Sequence, residues 1–365
     1  MGWCLILQIR RIIDSIAEYI PGKSVDDLSS SVNIAKDKIV KLSSNENPYP
    51  PSTKVINAIR NSADKVNYYP EFHPKKLYDA ISLYLNIPID NIYINSGVDG
   101  VLDTLMRVFI DCNDKVLIPI PTFSYYELTS ITHGAVPVLV KMDENFFISA
   151  ETILNSVDDK TKMIFLCSPN NPTGNTYPKK EVIKILDEFN GVVILDEAYA
   201  EFADQNYTGL IDEYDNIIIL RTLSKAFGIA GMRVGYAVLS EKIKKACLKV
   251  STPFAVSYLS IEAAYAALND LDYINYTIQK IKDGRDYLRE NIPFKTYPSY
   301  ANFVLVDVSP FKSSFMIDEL AKMGFIVRDC SSFKGMGDKF IRVSVGKEED
   351  NVRLVDAFNY ILKGI

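Results

Sequence analysis

The chain has 365 residues, 48% of them hydrophobic, and a formal net charge of -6. That is enough apolar material for one large domain and a smaller companion, and the acidic balance argues against a nucleic-acid or membrane-surface role, which needs a basic face. Five cysteines without CxxC spacing and only two histidines, His73 and His133, point to reduced thiols in a cytoplasmic protein and leave little for a metal site or a histidine-based triad.

The opening run, residues 1–8, is apolar but too short for a signal peptide or a membrane span, and Ile6 stands where a myristoylation signal wants Ser or Thr. From 8 to 20, isoleucines at 9, 12, 13, 16 and 20 keep helical spacing, which predicts an amphipathic helix stopped by Pro21-Gly22. Residues 17–24 match a relaxed phosphate-loop pattern ending in Gly22-Lys23-Ser24. A working phosphate loop needs a strand before it and a helix after it; this one follows a helix-like segment and carries Pro21 in the would-be cradle, so no nucleotide site is expected. The polar, proline-stiffened stretch from Lys41 to Pro51 offers Asn45, Glu46 and Asn47 as pre-set polar contacts. A helix is expected over 55–63, followed by the loop Asn67-Tyr68-Tyr69-Pro70-Glu71.

From 75 to 240, helical and short apolar segments alternate. Helices are expected at 77–85, 101–110 and 179–189. Strands are expected at 92–94, 116–118, 136–140, 163–166, 192–195, 217–220 and 234–239. Near-continuous apolar strands alternating with helices predict an α/β fold with a mostly parallel sheet covered on both faces, and ligands in such sheets bind beyond the carboxyl ends of the strands. The residues at those ends are chemically pointed. Gly97-Val98-Asp99-Gly100 precedes a helix and suits an anion. Thr122-Phe123-Ser124-Tyr125-Tyr126 offers an aromatic able to stack on a flat ring, with Tyr126 and Tyr125 as rivals. Ser168-Pro169-Asn170-Asn171-Pro172-Thr173-Gly174 fixes an amide, and Asp196 at the end of an apolar strand calls for a cation. Finally, Thr222-Leu-Ser224-Lys225-Ala-Phe-Gly228-Ile-Ala-Gly231-Met-Arg233-Val-Gly235 sets one lysine in a loop after a buried strand. There, desolvation or a nearby cation would lower its pKa and make it a nucleophile.

Beyond 245 the character changes. Helices are expected over 262–289 and strands at 302–306, 325–328 and 340–345, a smaller α+β part. Arg328 and Arg342 fall in or at the end of apolar strands, so each needs either an anionic ligand or a structural carboxylate. No internal repeat or low-complexity segment is visible.

The lysine segment resembles the cofactor-lysine segment of fold type I pyridoxal 5'-phosphate aminotransferases, and is especially similar to the histidinol-phosphate aminotransferase family. Leu-Ser-Ser-Asn-Glu-Asn-Pro at 42–48, Tyr-Pro-Glu at 69–71, Asn-Pro-Thr-Gly at 171–174, Val-Arg-Asp at 327–329 and Ile-Arg-x-Ser-Val-Gly at 341–346 extend the resemblance over nearly the whole chain. It implies pyridoxal 5'-phosphate held by Lys225. Asp196 would face the ring nitrogen and Tyr126 the ring. Asn171 and Tyr199 would face the phenolic oxygen, and Val98, Asp99, Thr222, Ser224 and Arg233 the phosphate. Gly100 departs from the glutamate often found there. Tyr69 would reach the phosphate of the other subunit in a homodimer, and Asn47, Arg328 and Arg342 would meet substrate. Lys225, Asp196 and Tyr199 would carry the chemistry, with Lys225 moving the proton.

The implied reaction moves an amino group between glutamate/2-oxoglutarate and imidazole acetol phosphate/histidinol phosphate in histidine biosynthesis. An aromatic amino-acid aminotransferase and a threonine-phosphate decarboxylase share the fold and stay open. A regulator on this fold would carry a DNA-binding domain and a basic face, and neither is visible. The implied division is a large cofactor-binding domain over 45–250, with 1–44 and 251–365 forming the small one.

Overall fold

The computed structural model describes residues 9–16, 25–32 and 34–364. After a short 3-10 turn, Arg11–Ser15, come α1 (Val25–Val32), β1 (Val40–Lys41), α2 (Thr53–Arg60), α3 (Lys75–Leu85), β2 (Ile92–Ser96) and α4 (Gly97–Phe109). The chain continues through β3 (Lys115–Ile120), α5 (Tyr125–Thr132), β4 (Val136–Lys141), α6 (Ala150–Leu154), β5 (Thr161–Cys167), α7 (Lys179–Glu188), β6 (Val192–Asp196), β7 (Ile217–Thr222) and β8 (Val234–Val238). It closes with α8 (Glu241–Val250), α9 (Tyr258–Leu268), α10 (Leu271–Asn291), β9 (Lys295–Thr296), β10 (Phe303–Asp307), α11 (Ser313–Lys322), β11 (Phe325–Ile326), β12 (Arg328–Asp329), β13 (Phe340–Ser344) and α12 (Glu348–Lys363).

Seven strands form the main sheet in the order β2-β8-β7-β6-β5-β3-β4. The pairings from β4 through β3, β5 and β6 to β7 are parallel, and β8 runs antiparallel between β7 and β2. The exception has a simple cause. Parallel neighbours need a crossover of a dozen residues or more, usually a helix. The link 223–233 between β7 and β8 is short and holds only the lysine loop and a 3-10 turn at Ala230–Met232. β6 and β7 are buried along their whole length, which is why they read as unbroken apolar runs.

Local signals explain many boundaries. Ser52 caps α2 by accepting from the Val55 N–H at 3.3 Å, and Ser257 caps α9 by accepting from Ser260 at 3.2 Å. α3 ends on Asn86 in the left-handed region, φ 54°. Gly97 (φ 72°) and Gly235 are required by close approach. A Cβ on Gly235 would sit 2.3 Å from the Gly97 carbonyl carbon, and one on Gly97 would sit 2.7 Å from Arg233 Nη2.

The second part of the chain has a four-stranded antiparallel sheet, β12-β13-β10-β9, and a parallel pair, β1-β11. Two expectations need correcting here. The strand expected over 325–328 is two strands. Phe325–Ile326 pairs with β1, and the chain then changes partner so that Arg328 lies opposite Arg342 on β13. The amphipathic helix expected over 8–20 is, in its described portion, one 3-10 turn. Ile12 and Ile13 on it and Ile9 ahead of it are exposed, so the spacing does not correspond to a buried face. The remainder of that helix and the phosphate-loop-like residues 17–24 lie outside the described residues. Sequence periodicity also passed over α1, α5, α6, α8, α11, α12 and the two-residue strands β1 and β9.

A buried ion cluster joins the ends of β6 and β7. Arg221 Nε donates to Glu197 at 2.8 Å and Nη1 to Glu201 at 3.2 Å, and Glu197 also accepts from the Tyr207 N–H at 3.0 Å. All three charged side chains are at most 5% exposed. Burial pushes both glutamates up, and Arg221 opposes that shift. Replacing Arg221 with methionine should therefore lower stability by about 3–5 kcal/mol, because two buried carboxylates lose their cation. A urea titration of the variant reads this directly; a change below about 1 kcal/mol would contradict the account.

Candidate active site

The strand ends converge on one cavity of about 260 Å³. Its floor is the end of β6. Register sets Asp196 beside Cys167 of β5. Asp196 is buried; its Oδ2 accepts from the Tyr126 hydroxyl at 2.6 Å and its Oδ1 from the Ala198 N–H at 2.9 Å. Burial raises its pKa to about 6 against the pull of these two donors. The Tyr126 ring is stacked on Phe165, centroids 4.6 Å apart and 6° from parallel. Of the two rival tyrosines, Tyr126 lines the cavity and Tyr125 does not; Phe123 and Ser124 line it as well.

One side of the cavity is built for an anion. α4 begins at Gly97 with no side-chain cap, and Val98 and Asp99 of its first turn line the cavity. Facing them are Thr222, Ser224 and Arg233. Arg233 is left-handed (φ 52°) and its Nη2 lies 3.0 Å from Asp99 Oδ2. Thr222 Oγ1 accepts from the Ser224 N–H at 3.1 Å, which tightens the turn leading into Lys225.

Lys225 Nζ donates to the Ser44 carbonyl at 3.3 Å and lies 5.9 Å from the centre of the Tyr199 ring. Burial, then the positive charge of Arg342, lowers its pKa to about 8; Glu46 opposes this and Arg233 adds to it. The Tyr199 hydroxyl accepts from Asn45 Nδ2 at 2.9 Å, and burial pushes its pKa up to about 12.

The opposite side carries two arginines. Arg342 is buried. Its Nη1 donates to Asn171 Oδ1, its Nη2 donates to the Ser43 carbonyl at 2.7 Å, and its guanidinium sits 5.2 Å from the Phe303 ring centre. Arg328 donates to Ser332 Oγ at 3.2 Å and lies 5.6 Å from the Phe333 ring centre. The two are directly opposite on β12 and β13, so two like charges are cross-strand neighbours. Two guanidinium groups on neighbouring strands can share one anion. The cavity lining holds the cations Lys225, Arg233, Arg328 and Arg342 and the carboxylates Asp99 and Asp196, a cationic excess inside an acidic protein.

Two residues expected at the site stand elsewhere in the single chain. Asn47 Nδ2 donates to the Ala226 carbonyl at 3.1 Å and its Oδ1 accepts from Tyr49 at 3.0 Å, so its side chain braces the lysine loop from outside the cavity. Tyr69 is 81% exposed and stacks on Phe254 at 4.8 Å. The sequence offered Asn45, Glu46 and Asn47 as polar contacts and favoured Asn47 for substrate, whereas Ser43, Ser44 and Asn45 are the ones that line the cavity. The asparagine-rich loop was the available signal, but spacing does not say which asparagine turns inward. Cys167 and Phe333 also line the cavity and gave no signal.

Residues 37–358 match the family model described as aminotransferase class I and II. The chain is 47% identical over 351 residues to the histidinol-phosphate aminotransferase of Methanosarcina mazei, covering 96% of this chain and 95% of that protein. Among solved structures, the histidinol-phosphate aminotransferase from Clostridium acetobutylicum superimposes with a TM-score of 0.84 at 27% identity, over 90% of this chain and all of that one. The Sinorhizobium meliloti histidinol-phosphate aminotransferase in complex with pyridoxal-5'-phosphate gives a TM-score of 0.87 at 24% identity over the full length of both, a likeness of fold.

The lowered pKa of Lys225 has a direct consequence. A free lysine titrates near 10.4. Between about pH 8 and that value the unfolded chain holds a proton that the folded chain does not, so this group adds to stability as pH rises through the window. In cofactor-free protein, the rate of Lys225 labelling by an amine reagent, followed by peptide mass spectrometry, should reach half its maximum near pH 8. A midpoint beside that of the exposed lysines would contradict the assignment.

Proposed function

The chain belongs to the aminotransferase class I and II family, and on that premise we propose that it is a histidinol-phosphate aminotransferase acting in histidine biosynthesis. It moves an amino group between glutamate/2-oxoglutarate and imidazole acetol phosphate/histidinol phosphate, with pyridoxal 5'-phosphate as cofactor. The observation that carries this reading is the pairing of two arginines across β12 and β13, above a lysine whose pKa is already lowered. Both amino donors end in an anion, carboxylate in one and phosphate in the other, and one cationic pair can serve both.

The residues fit the cofactor. An uncapped helix start with Thr222, Ser224 and Arg233 suits its phosphate. Asp196, reluctant to ionise when buried alone, suits a protonated ring nitrogen, which would stabilise its charge. Asn171 and Tyr199 suit its phenolic oxygen, and Tyr126 borders its ring. When bound, pyridoxal 5'-phosphate supplies an electron sink that lowers the barrier to removing the proton from the amino-bearing carbon. Lys225 moves that proton as general base, and burial, by lowering its pKa to about 8, leaves more of it in the neutral, proton-accepting form than a free lysine has. Arg342, fixed by Asn171 and Ser43, orients the substrate anion, and Arg328 adds charge beside it.

In this reading the large part, 45–250, holds the cofactor, and residues 1–44 with 251–365 bring the arginines. The protein acts in the cytoplasm as a homodimer. Tyr69, which stands clear of its own cavity, reaches the cofactor phosphate of the second copy.

The experiment is an absorption spectrum of the purified protein followed by an amino-transfer assay with histidinol phosphate and 2-oxoglutarate. The expected result is a cofactor band that histidinol phosphate bleaches and 2-oxoglutarate restores. Lys225→Ala should lose that band and at least about 10³-fold in turnover. Arg342→Met should raise KM for both substrates by about 10²-fold, since it removes a buried hydrogen-bonded charge. Faster turnover of aromatic amino acids, or decarboxylation of phosphothreonine, would overturn the substrate assignment; absence of any band with added cofactor would overturn the reading itself.

A further inference from the structure

Three consecutive residues ahead of the large sheet each touch a different functional group. The Ser43 carbonyl accepts from Arg342 at 2.7 Å, the Ser44 carbonyl accepts from Lys225 at 3.3 Å, and Asn45 Nδ2 donates to the Tyr199 hydroxyl at 2.9 Å. The third contact has a definite polarity. Asn45 is 1% exposed and left-handed, φ 53°. Its N–H donates to Ser344 Oγ at 2.9 Å, and Ser344 Oγ donates back to Asn45 Oδ1 at 3.2 Å. In this arrangement Ser344 Oγ accepts the backbone N–H and gives its single hydrogen to Asn45 Oδ1; with the amide turned round the same oxygen would accept twice and its hydrogen would lose this acceptor, so the network favours oxygen at that end. The NH2 end therefore faces Tyr199, and an amide NH2 only donates.

The Tyr199 oxygen is thus an acceptor toward Asn45, and its own hydrogen has to point another way. This is the hydroxyl's single hydrogen bond among the described residues, and Tyr199 lines the cavity next to Asn171 and Arg342. Resting on the pyridoxal-phosphate reading above, we propose that Asn45 is a positioning residue. By donating to Tyr199 it turns the tyrosine O–H into a donor aimed at the cavity, available to the cofactor's phenolic oxygen. Asn45 does not act on substrate itself. Ser344, two residues beyond Arg342 on β13, ties the same switch of polarity to the strand that carries the substrate-binding arginine. Asparagine suits the position on two counts, since it tolerates the left-handed backbone and carries a donor and an acceptor on one short side chain.

Asn45→Asp tests this with almost no change of shape. Aspartate also tolerates the left-handed region, but it places an acceptor against Tyr199, which then captures the tyrosine hydrogen. The probes are pyridoxamine 5'-phosphate and its 3-deoxy analogue, which lacks the phenolic oxygen, titrated into cofactor-free protein by calorimetry. Wild type should favour the 3-hydroxy ligand by about tenfold or more, the scale of a hydrogen bond to a charged group. Asn45→Asp and Tyr199→Phe should each reduce that preference to under about threefold, and the double variant should reduce it no further. Asn45→Gly keeps the backbone conformation and removes the donor. It should fall between wild type and Asn45→Asp, and it serves if the aspartate variant does not fold. Retention of the wild-type preference in Asn45→Asp or Asn45→Gly, with loss in Tyr199→Phe, overturns the proposal and leaves the cofactor reading intact. Failure of wild type to bind pyridoxamine 5'-phosphate overturns the cofactor reading itself.

Discussion

A charge buried at the end of an apolar strand has to be answered by a partner, and this constraint organises the molecule. β6 and β7 run through the centre of the sheet with no exposed face, so their polar residues are confined to the carboxyl ends. Two neighbouring carboxylates follow from β6 and meet different fates. Glu197 turns to Arg221 and is neutralised within the protein. Asp196 receives only two neutral donors and stays reluctant to ionise. One acid is paired inside the scaffold and its neighbour lines the cavity with a raised pKa, a division produced by surroundings rather than by residue type.

The same accounting applies to the cations. Arg221 is enclosed by two carboxylates, whereas Lys225, four residues on, lies near Arg342 and Arg233 and is pushed toward neutrality. Arg328 and Arg342 oppose each other across a strand pair. The scaffold cation is thus paired within the protein, while the cavity gathers Lys225, Arg233, Arg328 and Arg342 on one lining. A cleft lined by one sign of charge favours anionic ligands.

The segment 43–45 makes the site one unit. Only Leu42 separates it from β1, which pairs with β11, and only Val327 separates β11 from β12 with Arg328. Its carbonyls and one amide reach Arg342, Lys225 and Tyr199, from three distant stretches of chain. The backbone here does chemistry that no side-chain motif announces, because a carbonyl is the same in every residue.

The sequence by itself determined the parallel α/β core and the strand-end chemistry. Buried strands must be apolar throughout, and their ends are the only places where Asp196, Asn171, Lys225 and the glycine turn at 97 can sit without cost. The family resemblance carried by the lysine segment determined the cofactor and the substrate class. Tertiary structure alone decided what depends on contacts between distant residues. β8 turned antiparallel because its link is too short for a crossover, and 325–328 split because its two halves found different partners. Tyr126 prevailed over Tyr125 because its hydroxyl reaches Asp196, and Asn45 rather than Asn47 entered the cavity because Ser344 and Tyr199 hold it there. Periodicity records which residues are buried. It does not record which buried residue meets which, and at this site that second fact sets every pKa and every hydrogen-bond direction.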